Sequence, residues 1–235
     1  MSLKKNKIKI PVLKQTLSVH SKRLTSKQKD FLRLSLDAKT NIIFISGPAG
    51  STKTYMAVYA ALRWLSSQED LDLIYVRTII ESGERNMGAL PGTADEKFDP
   101  YLTPLNDKLD EMINRADLED LRRGGRLIAA PINYLRGADW KDKIIIADEA
   151  QNFTAKELIT LITRLGSRSK LFICGDFLQP DINGRTGFKT LVDIFNDEES
   201  KARGVHYFEF TKDDILRSEI LKFIIEKLEK KFFKN

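Results

Sequence analysis

The sequence is poor in the residues that staple or metallate small proteins. It has one cysteine, Cys174, and two histidines in 235 residues. An intrachain disulfide is therefore impossible, and no Cys/His set has zinc spacing. Cys174 ends the apolar run Leu171-Phe172-Ile173-Cys174, where it reads as a small buried hydrophobe. A chain of this length can bury a full core without staples, and the lack of disulfides fits a reducing, cytoplasmic setting. Long hydrophobic runs are also missing: the longest, Tyr55–Leu62, spans eight residues, against about 20 needed to cross a bilayer, so no membrane partner is expected. The N-terminus is charged but has no apolar core, which argues against a secretory signal. With 42% hydrophobic and 31% charged residues, neither a disordered nor a fibrous chain is indicated.

An excess of charge of one sign is missing from most of the chain. Overall, 39 Lys and Arg against 33 Asp and Glu give +6, and the isoelectric point near 9.2 suggests a nucleic-acid partner. Residues 1–30, however, hold nine of the basic residues (Lys4, Lys5, Lys7, Lys9, Lys14, Lys22, Arg23, Lys27 and Lys29) and one acid, Asp30. That leaves 30 basic and 32 acidic residues in the other 205. Residues 1–20 thus read as a basic arm, mobile when unbound, ahead of a single near-neutral domain over 21–235. The alternation Lys7-Ile8-Lys9-Ile10 also fits a short edge strand. The lysines could neutralise phosphates, although no aromatic residue interleaves them to stack bases.

Hydrophobic patterning defines the body. Thr25 and Ser26 precede a periodic run from Lys27 to Leu36, the signature of a capped helix. Strands are expected at Asn41–Ser46, Leu71–Val76, Arg126–Ala129, Lys143–Ala147, Lys170–Cys174 and Val205–Phe210. Most are unbroken apolar runs, the pattern of strands covered on both faces. Helices are expected at Thr54–Leu65, Asp99–Asn114, Thr154–Leu165, Gly187–Phe195 and Thr211–Phe232. The last mixes Lys with Phe and Ile at helical spacing, as a docked amphipathic helix does. Alternating strands and helices predict an α/β fold, a doubly wound, mostly parallel sheet with helices on both faces.

The strongest motif is Gly47-Pro48-Ala49-Gly50-Ser51-Thr52-Lys53-Thr54. It follows a buried strand and opens a helix, the context of a P-loop. Successive backbone N–H groups and the helix N-terminus would cradle the phosphates of ATP. Lys53 would bridge the β- and γ-phosphates, and the Thr54 hydroxyl would bind Mg²⁺. Thr52 stands where the consensus has glycine. If that backbone position needs positive φ, threonine costs on the order of 1–2 kcal/mol; if it is helical, the cost is small.

Two further motifs end predicted strands. Ile144-Ile145-Ile146-Ala147-Asp148-Glu149 closes on paired acids, of which Asp148 would hold Mg²⁺ and Glu149 would polarise the attacking water. Cys174-Gly175-Asp176-Phe177-Leu178-Gln179 puts Gln179 where it could sense the γ-phosphate. All three motifs lie at C-terminal strand ends, where ligands of open α/β sheets bind.

In combination these residues resemble the PhoH family of P-loop ATPases, which is similar to the first motor domain of the superfamily-one helicases, with its RecA-like sheet. The segments Val76–Glu84, Leu90-Pro91-Gly92, Glu96–Leu105, Tyr134-Leu135-Arg136-Gly137, Asp148–Asn152 and Asp214–Arg217 carry the resemblance along with the P-loop, over roughly Leu24 to Leu228. It implies a Mg²⁺-dependent ATPase, with RNA or single-stranded DNA as a partner and a response to phosphate starvation as the context. It places Gln28 as an adenine reader, beside a nucleotide-binding set of Gly47, Pro48, Ala49, Gly50, Ser51, Thr52, Lys53, Thr54 and Tyr55. The catalytic set is Lys53, Glu149 and Gln179, with Arg136 or Arg217 as the transition-state arginine. Arg164 and Arg185 are weaker candidates. One motor domain supplies half of such a site, so a homo-oligomeric ring, for instance a hexamer, is expected to bring that arginine from a neighbour. The alternative is an ATP-binding switch or partner-binding module with little hydrolysis, because of Thr52.

Overall fold

A computed structural model describes residues 17–78, 94–131, 140–177, 187–215 and 219–232 of the chain. The described elements run α1 (Ser26–Ser35), β1 (Ile42–Ser46), α2 (Lys53–Ser67), β2 (Asp72–Arg77), α3 (Ala94–Met112) and α4 (Arg115–Arg123). They continue through β3 (Leu127–Pro131), β4 (Lys143–Asp148), α5 (Ala155–Ile162), β5 (Lys170–Gly175), α6 (Gly187–Phe195), α7 (Glu198–Ala202), β6 (Val205–Glu209) and α8 (Glu219–Phe232).

The six strands form one sheet in the order β3-β2-β4-β5-β1-β6, and every pairing is parallel. The period-2 alternation of a strand explains the unbroken apolar runs. Ile43, Ile45, Leu73, Tyr75, Ile144, Ile146, Phe172 and Cys174 pack with α1 to α4 on one face. Their strand neighbours Ile42, Phe44, Ile74, Val76, Ile145, Ala147, Leu171 and Ile173 pack with α5 and α6 on the other. Both faces of the central strands β1, β4 and β5 are covered, so these strands are nearly continuous apolar runs, whereas the edge strand β6 is half-buried and carries His206 and Glu209.

Helix starts follow their caps. Thr25 caps α1, with its hydroxyl accepting the Gln28 N–H and the Gln28 side chain accepting the Thr25 N–H at 2.9 Å. Thr154 and Glu157 form the same reciprocal pair at α5. Two helices fall where none was expected. The Asn114 side chain accepts the Asp117 N–H at 2.8 Å and starts α4, and Asp197 caps the five-residue α7. The helix expected from Thr211 does not start there. Asp214 accepts the Thr211 N–H at 2.8 Å in a tight 3-10 turn, Ile215 is extended and buried, and α8 begins at Glu219.

Leu17 is buried, and the His20 N–H donates to the Met112 carbonyl at 2.6 Å, so 17–20 run along the end of α3. Residues 1–16, including Lys4 to Lys14, lie outside the described part. No described helix is long and apolar enough to cross a membrane.

Candidate functional site

The P-loop connects β1 to α2, at the C-terminal edge of the sheet. Gly47 is required there by packing: an added Cβ would sit 2.6 Å from both the Phe210 carbonyl oxygen and Ser51 Oγ. Gly50 has φ of 80°, a conformation open to glycine. Thr52 has φ of 69° and ψ of 14°, so the position does demand the left-handed region and threonine carries the larger of the two costs. A hydrogen bond offsets part of it: Gln28 Nε2 donates to Thr52 Oγ1 at 3.0 Å. Because the Thr52 hydroxyl is turned to Gln28, it makes no cap on α2. The first-turn N–H groups of α2 are left to an anion.

Lys53 folds back over the loop, its Nζ donating to the Gly47 carbonyl at 2.6 Å and the Pro48 carbonyl at 3.0 Å. Thr54 Oγ1 donates to Asp148 Oδ1 at 2.7 Å. This contact joins the P-loop helix to the end of β4, across a sequence separation of 94 residues. Tyr75 of β2 donates to the other Asp148 oxygen, Oδ2, at 2.6 Å. Burial first, and then the Asp148 charge, push the Tyr75 phenol well above its ordinary value, so it remains a donor.

Glu149 has φ of 55° and ψ of 46°, a second left-handed non-glycine at the site. Its Oε1 lies 3.6 Å from Arg77 Nη2, and its Oε2 accepts from Gln151 Nε2 at 2.6 Å. The buried Gln151 reaches on to β5, where its Oε1 accepts the Asp176 N–H at 3.0 Å. The ends of β2, β4 and β5 are thus connected through Glu149 and Gln151.

A cleft of about 560 Å³ opens here, lined among others by Gln28, Thr52, Lys53, Thr54, Tyr55, Asp148, Glu149 and Asp176. Lys22 and Arg23 lie at its rim, and Lys22 Nζ pairs with Glu111 Oε2 at 3.0 Å. Cys174 lies on its floor, and burial pushes its thiol well above the ordinary range. It is a packing residue, not a nucleophile.

Of the residues singled out in the sequence, Gln28, Ala49, Gly50, Thr52, Lys53, Thr54, Tyr55, Asp148 and Glu149 line this one cleft, and Gly47, Pro48 and Ser51 lie in the same loop behind it. Gln28 is 1% exposed, and both of its amide atoms already have partners within the protein. One N–H and one lone pair remain for a base. Gln179, Arg136, Arg185 and Arg217 lie outside the described residues. Arg164 follows α5 at the opposite end of the sheet, where its carbonyl accepts the Trp140 N–H. Three residues of the site had no role in the sequence reading: Tyr75, Arg77 and Gln151. The signal for Tyr75 was one polar-tipped aromatic among the aliphatic residues Leu73, Ile74 and Val76.

The donor set suits a small hard cation. Thr54 and Asp148 offer oxygen atoms only. Among the described residues no group of three His, Cys, Asp or Glu could hold a metal unaided. A cation here would need substrate oxygens as well, which is how Mg²⁺ is held at phosphate sites.

The six-stranded parallel sheet, the loop between β1 and α2, and the acids at the end of β4 define a P-loop α/β fold. Two solved structures of the large terminase of a thermophilic bacteriophage have this fold, one of them in complex with ADP. Their TM-scores are 0.54 and 0.56 at 12% identity, covering 87% and 91% of this chain and 50% and 51% of theirs. The model of the PhoH-like protein family matches residues 21–229. The chain is 39% identical over 194 residues to a PhoH-like protein of Mycobacterium tuberculosis, covering 82% of this chain and 53% of the relative. It is 35% identical to a PhoH-like protein of Bacillus subtilis, covering 82% and 59%, and 31% identical to the protein PhoH of Escherichia coli, covering 76% and 50%. The chain belongs to the PhoH-like family. It spans little more than half the length of these relatives.

Proposed function

We propose that the chain binds ATP with Mg²⁺ and hydrolyses it. The observation that carries this reading is the convergence of Lys53, Thr54, Asp148 and Glu149, from two separate motifs, on one cleft beside an uncapped helix N-terminus. The N–H groups of α2 receive phosphate oxygens, and Lys53 leaves the Gly47 and Pro48 carbonyls to reach them. Thr54 and Asp148 hold the cation, which when bound offsets charge on the phosphates. Glu149 accepts a proton from the attacking water, and Gln28 orients the base. Gln179 senses the γ-phosphate, and Arg136 or Arg217 of a neighbouring copy supplies positive charge in the transition state.

RNA or single-stranded DNA is the proposed macromolecular partner. Lys22 is already paired with Glu111, and Lys27 lies over the Phe208 ring at 5.4 Å. Phosphate contacts then fall to Lys4, Lys5, Lys7, Lys9 and Lys14, together with Arg23 and Lys29. Removing residues 1–16 is expected to weaken RNA binding and flatten its salt dependence.

The deciding experiment is phosphate release from ATP with and without Mg²⁺, in wild type and Glu149→Gln. The variant is expected to bind ATP normally and lose turnover by about 10²–10⁴-fold. Wild-type turnover in the variant overturns the assignment. The second reading, an ATP-binding switch with little hydrolysis, draws support from the left-handed Thr52 and from the engagement of Glu149 by Arg77 and Gln151. Tight Mg²⁺-ATP binding with no phosphate release by wild type would favour it.

A further inference from the structure

The Asp148 carboxylate is held at both oxygens, and only one of the two holders belongs to the P-loop. Oδ1 accepts from Thr54 at 2.7 Å, and Oδ2 accepts from Tyr75 at 2.6 Å. Tyr75 comes from the neighbouring strand. It stands in register with Ile146, two residues before the acid, so the side chains of Tyr75 and Asp148 share one face of the sheet. Tyr75 is fully buried and Asp148 is 4% exposed.

Packing does not need this hydroxyl. Phenylalanine would fill the same place without a polar atom to desolvate, and the rest of β2 from Leu73 to Val76 is aliphatic. A phenol at this depth is costly unless it is paired. Its partner is the acid that the Mg²⁺-ATP reading assigns to the cation. A carboxylate gripped at one oxygen can swing about its Cβ–Cγ bond. One gripped at both oxygens, from two different elements, is fixed in plane and direction.

We infer that Tyr75 is a positioning residue for cation binding: its hydroxyl orients the Asp148 carboxylate toward the P-loop threonine, so that the cation meets a preset oxygen pair. The inference rests on the Mg²⁺-ATP reading and goes beyond it by naming a residue that touches neither nucleotide nor cation. Partners of this outer kind are worth roughly ten-fold or more in metal affinity.

The test is a titration of Mg²⁺ against the protein with a fluorescent ADP analogue, read as nucleotide binding and not as turnover. Tyr75→Phe is expected to fold, to bind the analogue without Mg²⁺ as wild type does, and to need roughly ten-fold more Mg²⁺ for half-maximal enhancement. Ile74→Val, on the opposite face of β2, is expected to lower the melting temperature and leave the Mg²⁺ midpoint alone. Should the phenylalanine variant fail to fold, fluorotyrosine incorporated at position 75 gives a fluorine NMR resonance expected to move when Mg²⁺ joins bound ADP.

An unchanged Mg²⁺ midpoint in folded Tyr75→Phe, or an unmoved fluorine resonance, overturns the inference alone. Equal loss of nucleotide affinity with and without Mg²⁺ also overturns it, because that is the signature of a disturbed fold. A wild-type protein whose nucleotide binding ignores Mg²⁺ overturns the Mg²⁺-ATP reading, and this inference with it.

Discussion

Thr52 Oγ1 accepts a hydrogen bond from Gln28 Nε2 at 3.0 Å. The residue that departs from the usual P-loop glycine is thereby connected to the capping box of α1, because Gln28 Oε1 accepts the Thr25 N–H at 2.9 Å. A left-handed threonine is strained, and a glycine would relieve the strain. It would also remove the hydroxyl that engages Gln28, a side chain bridging the start of α1 and the P-loop.

Two substitutions at Thr52 separate these effects. Alanine keeps the left-handed cost and loses the hydrogen bond, so Thr52→Ala is expected to destabilise by about 1 kcal/mol. Glycine loses the same bond but regains about 1–2 kcal/mol of strain, against roughly 0.5–1 kcal/mol of extra unfolded-state entropy. Thr52→Gly is therefore expected near wild-type stability in urea denaturation. An alanine variant as stable as wild type would show that the Gln28 bond contributes nothing.

Arg77 and Gln151 engage both oxygens of Glu149. A carboxylate so occupied must exchange a partner for water before it can accept a proton. Arg77→Gln is expected to raise kcat with KM for ATP unchanged. The pair is partly exposed and worth about 0.2–1 kcal/mol, which limits the rise to roughly five-fold. A fall in kcat would instead make Arg77 a necessary positive charge at the site.

Lys170 begins β5, at the sheet end away from the cleft. Its amine donates to the Asp37 and Thr40 carbonyls and lies 4.6 Å from the centre of the Trp64 ring. Burial, opposed by the Asp37 charge, pulls its pKa from 10.5 down to about 8. Between those two values the unfolded chain binds more protons at this residue than the folded chain. Stability owed to Lys170 therefore increases as pH rises from about 8 to 10.5. Chemical denaturation across that range should show wild type gaining on Lys170→Met. A constant difference between the two would count against the lowered pKa.

Arg126 secures the junction of α2 and β2. Its guanidinium donates to the carbonyls of Leu65 at 3.3 Å, Gln68 at 3.1 Å and Leu71 at 3.0 Å. Arg126→Ala is expected to cost about 2 kcal/mol in urea denaturation, the scale of hydrogen bonds to a charged donor. Lysine should recover little of it, since it has no counterpart to the second donor, Nε, which reaches the Leu71 carbonyl at 3.2 Å, and no planar fork to fix the direction of the first. Full recovery by lysine would reduce Arg126 to a helix-terminus charge.

The fold was legible in the sequence where local pattern and burial agree. The runs at Ile42–Ser46, Lys143–Asp148 and Lys170–Gly175 read as strands covered on both sides, because they are short, rich in β-branched and aromatic residues, and uninterrupted by alternating polar residues. The short helices α4 and α7 were hidden: each begins at an Asn or Asp that looks like any turn residue until its side chain is seen accepting a backbone N–H. The helix expected from Thr211 begins late because Asp214 makes a turn that its helical-looking composition conceals.

For the site, the sequence alone determined the chemistry on offer: a phosphate-cradling loop, a lysine, a hydroxyl and two acids at strand ends. Motif spacing carries that much because the strand-loop-helix geometry is local. Tertiary structure alone decided which groups meet. Strand order sets β2 beside β4, so Tyr75 and Arg77, about 70 residues earlier in sequence, fall beside Asp148 and Glu149. It likewise laid α1 against α2, turning Gln28 to the one residue of the loop that breaks the glycine rule. Those contacts depend on pairing register and helix packing, which arise from the burial of the whole sheet, so a single segment can mark a residue as odd, as it does Tyr75, without naming its partner.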